Sequence, residues 1–140
     1  MSTNSTIAVL NSNGTVSQIY CHWDGYVSHN GDLLLNFYNN QELAEKLVSL
    51  GNLSSLCENI EPFTEPSFGE HSFEHPQPEV NVYYDRDRGE DNQEPEIFSS
   101  LELFELSFSR QEYNYLWNGS EWLVKGEKTK HWQFVSSLLE

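Results

Sequence analysis

The stretch Ile7-Ala8-Val9-Leu10-Asn11-Ser12-Asn13-Gly14-Thr15-Val16-Ser17-Gln18-Ile19-Tyr20-Cys21-His22-Trp23 decides the fold. Segments 7–11 and 16–23 are β-branched and aromatic runs, and the Ser12-Asn13-Gly14 between them supplies the positive φ that a tight turn needs. The stretch predicts a β-hairpin. A matching signal stands near the other end, where 112–117 and 121–125 flank Asn118-Gly119 and place Trp117 and Trp122 on facing strands. Between the hairpins, 31–38 carries Leu34, Phe37 and Tyr38 at helical spacing. A second helix follows, with Asn39 as N-cap, Glu42 at the capping-box position, Leu43, Leu47 and Leu50 on one face, and Gly51 as the left-handed stop. Glu42 and Lys46 add an i,i+4 pair. Segment 53–57 reads as one further helical turn, 80–84 as a strand, and Ser99 with Glu102 as a capping box opening a helix of about nine residues. Segment 131–139, with Trp132, Val135 and Leu139, reads as a helix packing back on the sheet. The expectation is a single α+β domain over 1–140. Its antiparallel sheet would have about five strands built from hairpins, packed by three to four short helices.

A chain of 140 residues with 37% hydrophobic and 14% aromatic residues is long enough for one modest core. Its 7 Lys and Arg stand against 22 Asp and Glu, a formal charge of −15. That field opposes direct binding to nucleic acid or to an anionic membrane surface, and it attracts basic partners. The acidity is uneven. Residues 58–105 hold 14 acids and 2 bases, and the five prolines fall between Pro62 and Pro95. The core of this region, 58–98, reads as long acidic loops around one short strand. No apolar run reaches the ~18 residues of a membrane span, and MSTNSTIAVL lacks a basic region followed by an apolar one, so a cytoplasmic location is expected. The sequons at Asn4, Asn13, Asn52 and Asn118 then read as turns. Cys21 and Cys57 read as small core residues rather than as a disulfide.

Three constellations carry possible chemistry. Cys21-His22-Trp23-Asp24 places a thiol, an imidazole and a carboxylate within four residues; His22 and Asp24 share a strand face and could pair, whereas Cys21 and His22 point apart. A small Cys/His hydrolase would use this cluster, and the alternative is a strand end with a buried Cys21. Glu70-His71-Ser72-Phe73-Glu74-His75 would put His71 and His75 on one face of a helix, in reach of a metal, but Gly69 and Pro76 bracket it. In an extended segment the imidazoles stand ~13 Å apart, and a solvated loop pinned by Phe68 and Phe73 is the alternative. Asp85-Arg86-Asp87-Arg88-Gly89-Glu90 follows the 80–84 strand. If the strand continues, Asp85 and Asp87 share one face, and Arg86 and Arg88 form either an anion fork or internal neutralisers of the acidic loops. Phosphate-loop, dinucleotide, nucleophile-elbow and zinc motifs are missing from the sequence, so neither a catalytic residue, a metal nor a cofactor is expected.

Four blocks, Ile19-Tyr20-Cys21-His22-Trp23-Asp24-Gly25-Tyr26, Leu50-Gly51-Asn52-Leu53-Ser54-Ser55-Leu56, Tyr84-Asp85-Arg86-Asp87-Arg88-Gly89-Glu90 and Glu112-Tyr113-Asn114-Tyr115-Leu116-Trp117, together resemble a family of small proteins of unassigned role encoded by bacteriophages and prophages. The chain departs from that pattern at Val27-Ser28-His29-Asn30. The resemblance implies a phage-borne setting in a host cytoplasm and carries over no catalytic residue.

Small, acidic and phage-like, the chain reads as a stoichiometric inhibitor of a basic host protein, a nucleic-acid-binding, CRISPR or restriction component, with DNA mimicry as the device. A 140-residue domain spans roughly 35–40 Å, and duplex DNA of that length carries on the order of 20 charges, comparable with −15. The expected partner-binding acids are Asp85, Asp87, Glu90, Asp91, Glu94, Glu96, Glu102 and Glu105. A non-catalytic phage accessory or structural module, its acidity serving solubility, is the rival expectation.

Overall fold

The computed structural model describes residues 2–127 and 129–139. The first hairpin forms as its turn chemistry dictates. Strand β1 (Ser5–Leu10) pairs antiparallel with β2 (Val16–Cys21), in the register Ile7↔Ile19 and Leu10↔Val16. Gly14 takes φ +90°, and the Asn11 amide donates to the Thr15 carbonyl to close the loop. The second hairpin also forms, β6 (Tyr113–Trp117) against β7 (Trp122–Gly126), with Trp117 directly opposite Trp122 and the rings edge-on at 5.6 Å. Parallel pairing of β6 with β1 joins the two hairpins at the centre of one sheet.

The sheet is larger and more mixed than the sequence predicts. Its order is β4-β3-β2-β1-β6-β7-β8, with β5 (Glu96–Phe98) added on the outer edge of β2. Segment 53–57 is not a helical turn: Leu53–Ser55 is strand β3, parallel to β2 through Cys21↔Leu53 and antiparallel to β4 (Val82–Tyr83). Long-range pairing captures these residues, because the Leu53 and Ser54 carbonyls accept from the His22 and Trp23 amides. Near the C-terminus the expected helix is split into β8 (Gln133–Phe134) and α5 (Val135–Leu138).

Helices α1 (Asp32–Phe37), entered through a π turn at Val27–Gly31, and α2 (Gln41–Ser49) cover one face of the sheet. Asn40, not Asn39, caps α2 by accepting from the Leu43 amide, which moves Glu42 out of the capping-box position. Because β1 alternates, Ile7 and Val9 meet Leu34, Tyr38, Leu47 and Trp122 on this face, while Ala8 points to the other. The second face is apolar at one end only. There Ala8, Val16, Leu116 and Phe98 pack beneath Phe104 and Phe108 from α4 (Leu101–Ser107) and its exit. Ser100, not Ser99, is the cap of α4, and the helix has seven residues. At the other end Thr6, Gln18 and Asn114 replace the apolar positions. Thr6 Oγ1 donates to Asn114 Oδ1 at 2.9 Å, and Asn114 ties down the Gln111 backbone.

Candidate functional site

The strand over 80–84 ends at Tyr83, and the Asp-Arg-Asp-Arg segment turns into the short helix α3 (Tyr84–Arg88), closed by Gly89 at φ +73°. The helix reverses the expected role of Asp87, whose side chain is 4% exposed. Its Oδ2 accepts from the Tyr83 amide at 2.8 Å, from Arg86 Nη2 at 3.1 Å and from His71 Nε2 at 3.2 Å, while Oδ1 accepts from Arg86 Nε at 2.9 Å. Asp87 therefore leaves the set of partner-facing acids: a helical turn places it inward where an extended chain would have kept it on one face with Asp85.

Arg86 is likewise internal. It donates to the Ile60 carbonyl at 2.6 Å and the Asn81 carbonyl at 3.0 Å, and it lies over the Tyr83 ring. Arg88 pairs with Glu90 and stands 4.0 Å from the Phe73 ring centre. Of the two readings of these arginines, the internal neutraliser describes their contacts, and an anion fork would have to give up these bonds. His71 completes the hub. Its Nδ1 accepts from the Gln77 amide at 2.9 Å, and its Nε2–H donates to the Asn81 carbonyl and Asp87, a network that assigns the neutral Nε2–H tautomer. The 58–79 loop is thus pinned by buried His71 and by Gln77, which bridges Phe63 and Gly69. Phe68, expected as a pin, is exposed and stacks only on Phe63.

The other expected acids lie outward. Asp85, Asp91, Glu94, Glu96, Glu102 and Glu105 are exposed, Glu102 and Glu105 on α4 beside exposed Leu103 and Leu106. Of the 14 acids in 58–105, Glu61, Asp87 and Glu90 have a basic side chain in ion-pair range, and the other eleven have none among the described residues. Glu94 and Glu96 are brought together with residues the sequence reading missed. In the register of β5 against β2, Glu96 stands opposite Gln18, and in that of β1 against β2, Thr6 stands opposite Tyr20. With Gln111 above, these side chains line a half-open cleft of about 230 Å³ at the polar end of the sheet's second face. A strap over 91–96 supplies its outer wall. Asn52 secures the strap, its amide donating to the Gln93 carbonyl and its side chain to Gln93 Oε1. The available sequence signal was Thr6 and Gln18, polar residues at inward positions of otherwise apolar strands.

The Cys21-His22-Trp23-Asp24 cluster assembles differently from a catalytic group. Cys21 is fully buried, and burial pushes its thiol up to about 11. The thiol donates to the Trp23 carbonyl and accepts from Asn30. His22 takes Tyr20 as its partner, Nδ1 to hydroxyl at 2.7 Å, and not Asp24, which turns away at φ +56°. Both cysteines are free, as expected. Cys21 is protonated in the folded chain up to a higher pH than in the unfolded one, so its contribution to stability is complete below about 9 and is lost as pH rises to about 11. Denaturant titrations are expected to show stability declining across that window, with a shallower decline for Cys21→Ala. Equal slopes for the two chains would contradict the burial of this thiol.

Among the described residues, no three His, Cys, Asp or Glu side chains converge to hold a metal ion, and no helix is long and apolar enough to cross a membrane. No protein-family model, curated protein or solved structure matches the chain.

Proposed function

We propose that the chain is an acidic protein-binding inhibitor that occupies the nucleic-acid-binding surface of a basic host protein, of the kind found in CRISPR or restriction systems. The observation that carries this reading is that eleven acids of 58–105 have no basic partner among the described residues. A chain that used acids only for solubility would be free to interleave them with bases, whereas unpaired carboxylates keep their field directed outward. The four sequence blocks that resemble phage proteins support the same setting. Asp85, Asp91, Glu94, Glu96, Glu102 and Glu105 present the carboxylates in place of phosphates, while Asp87 and Arg86 hold the scaffold beneath them.

The test is capture from a host lysate at two salt concentrations, followed by mass spectrometry. A basic, nucleic-acid-binding protein retained at low salt and lost at high salt is expected, because the association is driven by exposed charge. Changing Asp91, Glu94 and Glu96 together to Lys is expected to abolish that capture while leaving the circular dichroism spectrum unchanged. If nothing basic is enriched, or if the triple variant captures the partner undiminished, the reading fails.

A further inference from the structure

The cleft at the polar end of the sheet contains a group that the fold leaves unused. Gln18 is 5% exposed, and its Nε2 donates to the Ser109 carbonyl, but its Oε1 has no hydrogen-bond partner among the described residues. The side chain is nearly enclosed, yet Oε1 is not a buried orphan: it opens onto the cleft that Gln18 lines, where it stands as an acceptor with no protein donor among the described residues. Among the described residues, the charged side chains lining that space are two glutamates: Glu96 stands opposite Gln18 in the strand pair, and Glu94 lies two residues before Glu96 on the strap. Alternate residues of an extended segment stand ~7 Å apart, so the two glutamates line the strap side of the cleft and Gln18 lines it from the neighbouring strand β2. Tyr20 adds an aromatic wall. The space is thus rich in acceptors and bounded by one π surface.

We propose that this cleft receives the guanidinium of an arginine side chain presented by the protein partner, a refinement that rests on the preceding reading for the source of the arginine. A guanidinium is the cation that fits. Its five fixed donors can reach Gln18 Oε1 and both carboxylates at once, and its planar face can stack on Tyr20, whereas an ammonium is a compact, strongly hydrated point charge. A cleft of about 230 Å³ leaves room for the head group and the end of its stem.

The experiment uses the isolated, isotope-labelled chain and two small probes, Nα-acetyl-arginine methylamide and its lysine counterpart, followed by nuclear magnetic resonance. The arginine probe is expected to shift the Gln18 side-chain amide and the backbone of 18–20 and 94–96 saturably in the millimolar range. The lysine probe should bind at least about fivefold more weakly, lacking the fork and the stacking face. Glu96→Gln, at an exposed position, is expected to weaken the arginine probe about tenfold, the loss of one hydrogen bond between charged groups. Gln18→Leu should abolish the response, and Glu96→Gln serves alone if Gln18→Leu does not fold. An arginine probe that leaves these resonances unmoved, or a lysine probe that binds equally well, overturns the assignment. The titration contains no host protein, so its outcome is separate from that of lysate capture: an empty capture with a responding cleft defeats the inhibitor reading alone, and a silent cleft with a captured partner defeats the guanidinium site alone.

Discussion

Replacing Asp87 by alanine is expected to lower folding stability by about 3 kcal/mol, at the lower end of the ~3–5 kcal/mol seen when one partner of a buried ion pair is removed. The carboxylate collects three different donors, from the Tyr83 amide, Arg86 and His71, in a site only 4% open to solvent. Without it the Tyr83 amide has no acceptor and Arg86 keeps its charge with only the Ile60 and Asn81 carbonyls as partners. The 23% exposure of Arg86 lets water relieve part of that charge, which places the expectation at the lower end. His71 retains the Asn81 carbonyl. Urea titration of the variant measures the loss directly, and Asp85→Ala, two residues earlier and exposed, is the control, with an expected change within ~0.5 kcal/mol. If the two variants lose stability equally, Asp87 is a surface acid after all and rejoins the partner-facing set.

The second large effect is expected at Gly51→Ala. Gly51 sits at φ +91°, and a Cβ built there lies 2.2 Å from the carbonyl oxygen of Gln93. A backbone oxygen cannot rotate away as a side chain can, so either the end of α2 or the 91–96 strap must shift. Left-handed strain of ~1–2 kcal/mol adds to overpacking of ~1–3 kcal/mol, giving an expected loss of about 2–5 kcal/mol. The two contributions separate by comparison with Gly14→Ala, where φ is +90° and nothing lies within 4 Å of the new Cβ. Gly14→Ala carries the strain alone, so thermal unfolding of the pair isolates the contact with Gln93. Because the strap holds Glu94 and Glu96 at the cleft, Gly51→Ala is also expected to weaken binding of the arginine probe, whereas Gly14→Ala is not. Equal melting temperatures for the two variants would show that Gln93 does not press on Gly51.

Local chemistry accounts for what could be read early. Asn13-Gly14 and Asn118-Gly119 specify their hairpins through backbone dihedrals that few other residues adopt, and the strand runs beside them carry the register that places Trp117 opposite Trp122. The cap of α2 was legible to within one residue because Asn39 and Asn40 are chemically equal candidates, and only the chain's entry path selects Asn40. Leu53–Ser55 was misread because nothing in those three residues records that β2 and β4 lie on either side. The C-terminal helix shortened for the same reason, with Gln133–Phe134 taken by the open edge of β7.

Acidity itself was legible: its amount, its concentration in 58–105 and the scarcity of bases there are properties of composition, and the fold does not alter them. The sequence by itself also determined the two hairpins and the α+β class, since turn dihedrals and apolar alternation act within a few residues. Which carboxylates face a partner was left to the tertiary structure. Asp85 and Asp87 stand two positions apart in a short motif, yet a single helical turn buries one beside His71 and leaves the other in water. Gln18, Glu94 and Glu96 share a cleft only because β5 pairs with β2 across about 80 residues of chain. Contacts closed over such distances depend on the packing of the whole sheet, and no short stretch of residues encodes them.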